Sequence, residues 1–363
     1  MQYRAIGLMS GSSLDGLDIA FVQFTESKNE WTYEILESDC ISNSSEWRQK
    51  LKEAHQLDAL AFHKLNVDYA VYTATLVNRF IESKNLHFKV QLIGSHGHTV
   101  FHEPDNMISV QLCSGAVLAA KTGINVISDM RSMDLALGGQ GAPIVPIGEK
   151  YLFPGFDYYL NIGGIANISE RINNDVIGWD VCPANRVLNY LAAKKGLNYD
   201  ENGHLAASGK VDTALLTRLN AQAYYQRMPP KSLANQFGDD TIIPLIESYP
   251  CSTEDALHTY CVHVAQQVLY SLLPRKNNST TSAMLVTGGG AFNGFLLKML
   301  RKELAGVGVT ITLPDQLSIQ YKEALVMAFL AVLRWREENT CLKVSTGADR
   351  NSIGGAVWLG QET

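Results

Sequence analysis

Apolar positions along the chain switch between two periods, and the switches mark out alternating strands and helices. Ile6 to Met9 is an apolar strand, Ser10 to Gly16 a polar turn with two glycines, and Leu17 to Phe24 an alternating second strand, with Trp31 to Ser38 a candidate third. From Leu57 to Glu82 the apolar residues Leu60, Leu65, Val67, Val71, Leu76, Val77 and Phe80 recur at helical spacing and lead into a buried strand, Val90 to Gly94. That strand is expected to end in the turn Ser95-His96-Gly97-His98. A helix near Gly115 to Lys121 and a strand, Asn125 to Ser128, complete a first alternating half.

The second half repeats the theme. Tyr158 to Glu170 is an apolar strand interrupted by Gly163 and Gly164, and Val176 to Trp179 is a strand ahead of a helix from Ala184 to Lys194. Cys261 to Leu273 is helical, and Met284 to Thr287 is a strand ending in Gly288-Gly289-Gly290. Each half thus holds a glycine-bearing hairpin and, later, a helix feeding a strand that ends in a polar or glycine-rich turn. That pattern reads as a weak internal duplication. It predicts an α/β protein of two domains, with the boundary in the glycine-rich stretch near residue 135: residues 1–135, with 345–363 a candidate completion, and residues 136–344. Ligands in such folds bind at strand ends, here in a cleft between the domains.

Length and composition agree with two cores. The chain has 363 residues, 46% of them hydrophobic and 18% charged, more than one hydrophobic core usually supports. A formal net charge of −6 argues against a nucleic-acid binder with a basic surface and favours a small-molecule partner. Cys40, Cys113, Cys182, Cys251, Cys261 and Cys341 show no paired Cys-x-x-Cys spacing, the usage of reduced thiols in a cytosol. The first residues carry no export pattern, and the apolar stretch Ala324 to Leu333 is far short of the roughly 20 residues of a membrane span, so a cytoplasmic protein with no membrane partner is expected.

Chemistry concentrates at the turns. Residues 10 to 18 combine glycines, hydroxyls and carboxylates in one hairpin turn: glycine lets backbone N–H groups approach phosphate oxygens, Ser12 and Ser13 can donate to them, and Asp15 or Asp18 could hold a hydrated magnesium ion. No Walker lysine is present, and a plain hairpin turn is the alternative. Asp180, ahead of Pro183, reads either as a helix cap or as a general base. His96, His98 and His102 raise a metal site, which lacks further ligands nearby, or polar contacts to a sugar. Arg131 could bind a carboxylate or serve a structural ion pair, and Glu323 could cap the apolar helix.

Seven motifs in order, GLMSGSSLDGLD (7–18), SHGHTVFHEP (95–104), DMRSMDLALGGQGAPIVP (129–146), NIGGIANIS (161–169), DVCPAN (180–185), VTGGGAFN (286–293) and EALVMAFLA (323–331), together resemble the anhydro-N-acetylmuramic acid kinases. The resemblance implies two ribonuclease-H-like domains of the actin and hexokinase type, each a mixed sheet flanked by helices. It implies an ATP-dependent kinase of cell-wall recycling in which water opens a 1,6-anhydro sugar and the released 6-oxygen takes the γ-phosphoryl group, giving N-acetylmuramic acid 6-phosphate. On this resemblance Asp180 is the general base. Gly11, Ser12, Ser13, Leu14, Asp15, Gly16, Leu17 and Asp18, with Gly163, Gly164 and Gly288 to Gly290, bind ATP with Mg²⁺, and Ser95, His98, Arg131 and Glu323 contact the sugar. No resident metal is implied, and a homodimer is a family-level expectation. The other readings are a kinase for an ordinary amino sugar and a nucleotide-driven regulatory or binding module on the same fold.

Overall fold

The structure is a computed structural model and describes residues 1–11, 14, 16–173, 175–228, 231–233, 236–275 and 281–360. The chain divides into two compact units, residues 1–154 together with 321–363, and residues 155–320.

The first unit contains β1 (Gln2–Ser10), β2 (Gly16–Ser27), β3 (Glu30–Ser42), α1 (Ser45–Glu53), α2 (Ala59–Ser83), β4 (Leu92–Glu103), β5 (Ile108–Leu112), α3 (Gly115–Thr122), β6 (Asn125–Ser128), α4 (Ser132–Ala136) and α5 (Pro146–Leu152). β1, β2 and β3 form an antiparallel meander, β4 runs parallel to β1, and β6 runs parallel to β4. The second unit contains β7 (Tyr158–Ile162), β8 (Ile165–Ile172), β9 (Asp175–Pro183), α6 (Asn185–Ala193), α7 (His204–Ser208), α8 (Thr213–Asn220), α9 (Ile243–Glu247), α10 (Thr253–Leu272), β10 (Ser282–Thr287), α11 (Gly294–Ala305) and β11 (Val309–Thr312). Its sheet repeats the plan: β7, β8 and β9 are an antiparallel meander, β10 is parallel to β7, and β11 is parallel to β10. Meander followed by parallel strands, twice, is the ribonuclease-H-like arrangement, and it accounts for the duplication read in the sequence.

The chain then passes through α12 (Gln316–Trp335) and α13 (Lys343–Thr346) to β12 (Ala356–Trp358), which closes the first sheet antiparallel to β6. α12 leaves helical geometry at Tyr321 (φ −111°, ψ 18°), where the unit division falls. Beyond the kink it packs directly on the first sheet: a Cβ on Gly7 would lie 1.7 Å from the Ala324 carbonyl oxygen, and one on Gly94 2.1 Å from that of Met327. Only glycine permits this approach of helix backbone to strand. On the opposite face Ile6, Leu8, Ile19 and Phe21 pack with Leu65, Tyr69, Val77 and Phe80 of α2.

These contacts move the boundaries away from 135 and 344. Phe153 packs against Tyr33 of β3 with the rings tilted, Tyr151 meets Phe329 of α12, and Glu149 of α5 forms a buried ion pair with Lys322 at 2.5 Å. Residues 136–154 and α12 from Tyr321 onward therefore share the first unit's core, which the glycine punctuation near 135 does not reveal. α12 is also longer than its apolar stretch: among the described residues it is the one helix long and apolar enough to cross a membrane, and 78% of its most apolar window is buried inside the protein.

Candidate active site

In the second unit three turns converge. The bend between β7 and β8 holds Gly163 and Gly164, whose carbonyls accept from the N–H groups of Asn185 and Ala184, at 3.0 and 2.7 Å, where α6 begins. The Asn185 side chain donates to the Ile162 carbonyl at 3.0 Å. Gly288, after β10, takes φ +81°, and a Cβ there would strike the Asn161 side chain and Ile162 carbonyl, while one on Gly290 would meet the Ile162 side chain. Gly164 and Gly289 remain exposed, and nothing lies within 4 Å of a Cβ on Gly164. Two glycine turns far apart in sequence thus sit against one another with open backbone, a surface suited to phosphate oxygens.

Asp180 lies on the strand that feeds this cluster. The sequence placed it after a strand ending at Trp179 and before a helix starting at Ala184; instead β9 runs on through Pro183, and α6 starts at Asn185 with no side-chain cap. Helix capping is therefore not its role. Asn167 of β8 pairs with Asp180 and the neighbouring Ala166 with Cys182, so Val181 is a bulge residue beside the carboxylate. Asp180 is held by a crossing segment: its N–H donates to the Lys231 carbonyl at 2.9 Å, and its Oδ2 accepts from the Leu233 N–H at 2.8 Å. The Tyr224 hydroxyl donates to the Asp180 carbonyl oxygen at 2.9 Å. Burial pushes the carboxyl up to about 6, with the Leu233 N–H pulling the other way. Above that value it is an ionised, poorly hydrated base.

In the first unit the turn between β1 and β2 is described at Gly11, Leu14 and Gly16 to Asp18; Ser12, Ser13 and Asp15 lie outside the described residues. Leu14 takes φ +62°, its N–H donates to the Gly11 carbonyl, and its own carbonyl accepts from the Asn43 side chain at 3.2 Å. A Cβ on Gly16 would lie 2.5 Å from the Ile41 carbonyl oxygen, and the Leu17 side chain is buried in the core, so both serve the turn through backbone. Asp18 and Glu323 oppose one another: burial, then the Asp18 charge, raises the Glu323 carboxyl, while Lys322 and Arg131 lower it.

β4 does not end at Gly94. It continues to Glu103, and Gly97, at φ +75°, interrupts its side-chain alternation. His96 therefore meets Arg131, whereas the Ser95 hydroxyl lies 3.8 Å from the Cys113 sulfur and His98 Nδ1 3.3 Å from the Ser10 hydroxyl. Of the four sugar-contact candidates, Arg131 and Glu323 feel one another's charge without touching, and Ser95 and His98 turn to Cys113 and Ser10, on the side packed against α2. His102 uses a third partner, Ser109, at 3.1 Å. The three histidines share no centre, and among the described residues no group of three metal-ligating side chains exists.

The family profile of the anhydro-N-acetylmuramic acid kinases matches residues 3–360. A curated protein of that name from Haemophilus influenzae is 32% identical over 97% of both chains, and one from Bacillus cereus is 31% identical over 97% of this chain and 98% of its own. The chain belongs to the anhydro-N-acetylmuramic acid kinase family. It is a kinase, and its reaction uses ATP. Solved structures similar to it include the activator of 2-hydroxyisocaproyl-CoA dehydratase from Clostridium difficile, at TM-score 0.47 and 15% identity over 92% of this chain and 96% of that one. A ROK family glucokinase from Streptomyces griseus aligns at TM-score 0.43 and 14% identity over 91% and 99%.

Not every residue around the glycine turns and the raised carboxyl was legible in the sequence. Asn43, Tyr224 and the Lys231–Leu233 segment lie outside the seven motifs, while Asn161 and Asn185 stand inside two of them without a role of their own, and the contacts of all of them show only in the structure. His96 stood in the sequence only as part of a histidine cluster. Asp134 is a framework residue: only 1% exposed, it accepts from the Gly141 N–H, the Thr346 hydroxyl and the Cys341 thiol.

Proposed function

We propose that this kinase opens 1,6-anhydro-N-acetylmuramic acid with water and phosphorylates it to N-acetylmuramic acid 6-phosphate, with Asp180 as the general base. The observation that carries this reading is Asp180 itself, a carboxyl raised to about 6 by burial and held by backbone hydrogen bonds on the strand that runs to the two glycine turns. Asp180 takes a proton from water as its oxygen bonds to the anomeric carbon. The bond from that carbon to the bridging oxygen breaks, the oxygen stays on C6, and it takes the γ-phosphoryl group of ATP as ADP leaves. Strain in the bicyclic sugar favours ring opening, so no covalent enzyme intermediate is needed.

In the second unit Gly164 and the turn Gly288 to Gly290 offer open backbone suited to phosphate oxygens, with Gly163 shaping the bend; the assignment of Gly11 to Asp18 to the nucleotide rests on the family motif. Mg²⁺ fits as an ion that arrives with the nucleotide. The Asp18 charge adds to burial in raising the Glu323 carboxyl, and a divalent ion held by one or two carboxylates plus phosphates and water would offset such charge. When bound, it would neutralise charge on the phosphate oxygens.

The test is mass spectrometry of the product formed in ¹⁸O-labelled water. One solvent oxygen is expected at the anomeric carbon and none at C6. Unlabelled product, or phosphorylation of the ring-opened sugar in preference to the anhydro sugar, would refute the mechanism and favour a kinase for an ordinary amino sugar.

A further inference from the structure

Arg131 is a partly buried cation whose direct partners are all neutral. Its Nε and Nη2 both donate to Nε2 of His96, at 3.1 and 2.7 Å, and its Nη1 donates to the Gly141 carbonyl at 2.6 Å. A guanidinium has five N–H donors. These bonds use three and leave two, one on each terminal nitrogen, donors that a carboxylate can accept.

Among the described residues no carboxylate reaches ion-pair distance of Arg131. Glu323 and Asp134 act on it only from further away. Asp134 is also committed elsewhere, to the Gly141 N–H, Thr346 and Cys341. Through Gly141, whose N–H is held by Asp134 and whose carbonyl holds Nη1, the guanidinium is braced from a second side.

His96 can receive two N–H bonds at Nε2 only if that nitrogen carries a lone pair. Its Nδ1 lies 2.9 Å from the Gly97 carbonyl, which can only accept, so the proton belongs on Nδ1. Burial and the neighbouring Arg131 charge push the imidazole down to about 3, and the ring stays neutral throughout the physiological range. An aspartate or glutamate in this place would orient a guanidinium equally well but cancel its charge. The chain pairs a buried arginine with a neutral base instead.

We propose that His96 is a positioning residue that aims the Arg131 fork without neutralising it, so that Arg131 binds the carboxylate of a carboxylated sugar. This rests on the substrate assigned above, whose lactyl ether ends in a carboxylate. Arg131 then sets the preference of the enzyme for the acid sugar over the same anhydro amino sugar without the lactyl group, and His96 acts through Arg131.

The experiment compares kcat/KM, or the inhibition constant where turnover is slow, for these two anhydro sugars in wild type, His96→Gln, His96→Glu and Arg131→Gln. Wild type prefers the carboxylated sugar. His96→Gln supplies another neutral acceptor and keeps that preference within about threefold, whereas His96→Glu and Arg131→Gln each lose at least about 30-fold of it, mainly through KM for the acid sugar. A structural role for His96 would lower both sugars together and would not separate Gln from Glu. If His96→Glu fails to fold, Arg131→Gln still decides. Absence of preference in wild type, or a preference retained in Arg131→Gln or in folded His96→Glu, overturns the proposal and leaves the kinase assignment standing. Failure of wild type to turn over either anhydro sugar sinks both.

Discussion

The general-base role proposed for Asp180 predicts opposite effects on activity and on stability, both tracing to its burial. The folded protein holds the Asp180 proton up to about pH 6, whereas the unfolded chain releases it near the ordinary value of 3.8. Between those values the folded state binds more protons, so stability falls as pH rises and stays lower above pH 6. Asp180→Asn removes that penalty while its side-chain oxygen can still accept from the Leu233 N–H. The variant is expected to melt at a higher temperature than wild type at pH 7.5, with the gain shrinking toward pH 4, and to lose at least about 10²-fold in kcat. Calorimetry and steady-state kinetics across pH test both. A variant less stable than wild type at pH 7.5, or one of near-normal activity, would contradict the role given to this carboxyl. In wild type, kcat/KM should rise with pH through about 6. The sequence offered this carboxylate as a helix cap or a general base, and only the resemblance favoured the base. Its raised proton affinity was not legible there, since that comes from burial by distant segments, against the pull of the Leu233 N–H.

Among the elements, α12 is expected to be required for the first unit to fold, because it packs directly on that unit's sheet. Strand and helix identities followed from apolar spacing, and β6, the β1–β2 hairpin and β7–β8 lie close to where that spacing put them. The errors have one cause. β4 runs through Ser95-His96-Gly97-His98 because β1 and β5 supply hydrogen-bond partners on both sides, and β9 runs through Asp180 because β8 does. Neither partner is visible from the segment itself. The glycines of β1 and β4 likewise have a reason that only contact supplies, the backbone of α12 lying against them. Gly7→Ala is expected to destabilise the protein by about 3 kcal/mol or more, because its Cβ would overlap the Ala324 carbonyl and the helix cannot retreat without opening the core. Gly164→Ala, where the Cβ meets nothing within 4 Å, should change stability by no more than about 0.5 kcal/mol. Denaturant titration of the two variants separates a packing requirement from a general intolerance of side chains at glycine positions.

At the scale of the whole molecule, the first unit is assembled from two stretches of chain and the second from one. Residues 155–320 carry their own core, in which Leu160, Ile168, Val187, Leu257, Val264, Val286 and Leu300 are buried together. Residues 1–154 lack α12 and β12. As separate fragments, 155–320 is expected to unfold cooperatively with dispersed amide signals, while 1–154 stays unfolded or aggregates through the sheet face that α12 covers. A well-folded 1–154 fragment would show that α12 is dispensable to that core. The sequence by itself determined the kind of protein: the period of its apolar residues sets strands and helices, and its seven motifs set the family, because both are properties of local order along the chain. Tertiary structure alone decided the unit boundaries, the separation of Ser95 and His98 from Arg131 and Glu323, and the pairing of Arg131 with a neutral His96. These depend on which face a side chain takes and on what a distant segment brings against it, and a single positive φ at Gly97 is enough to reverse that face.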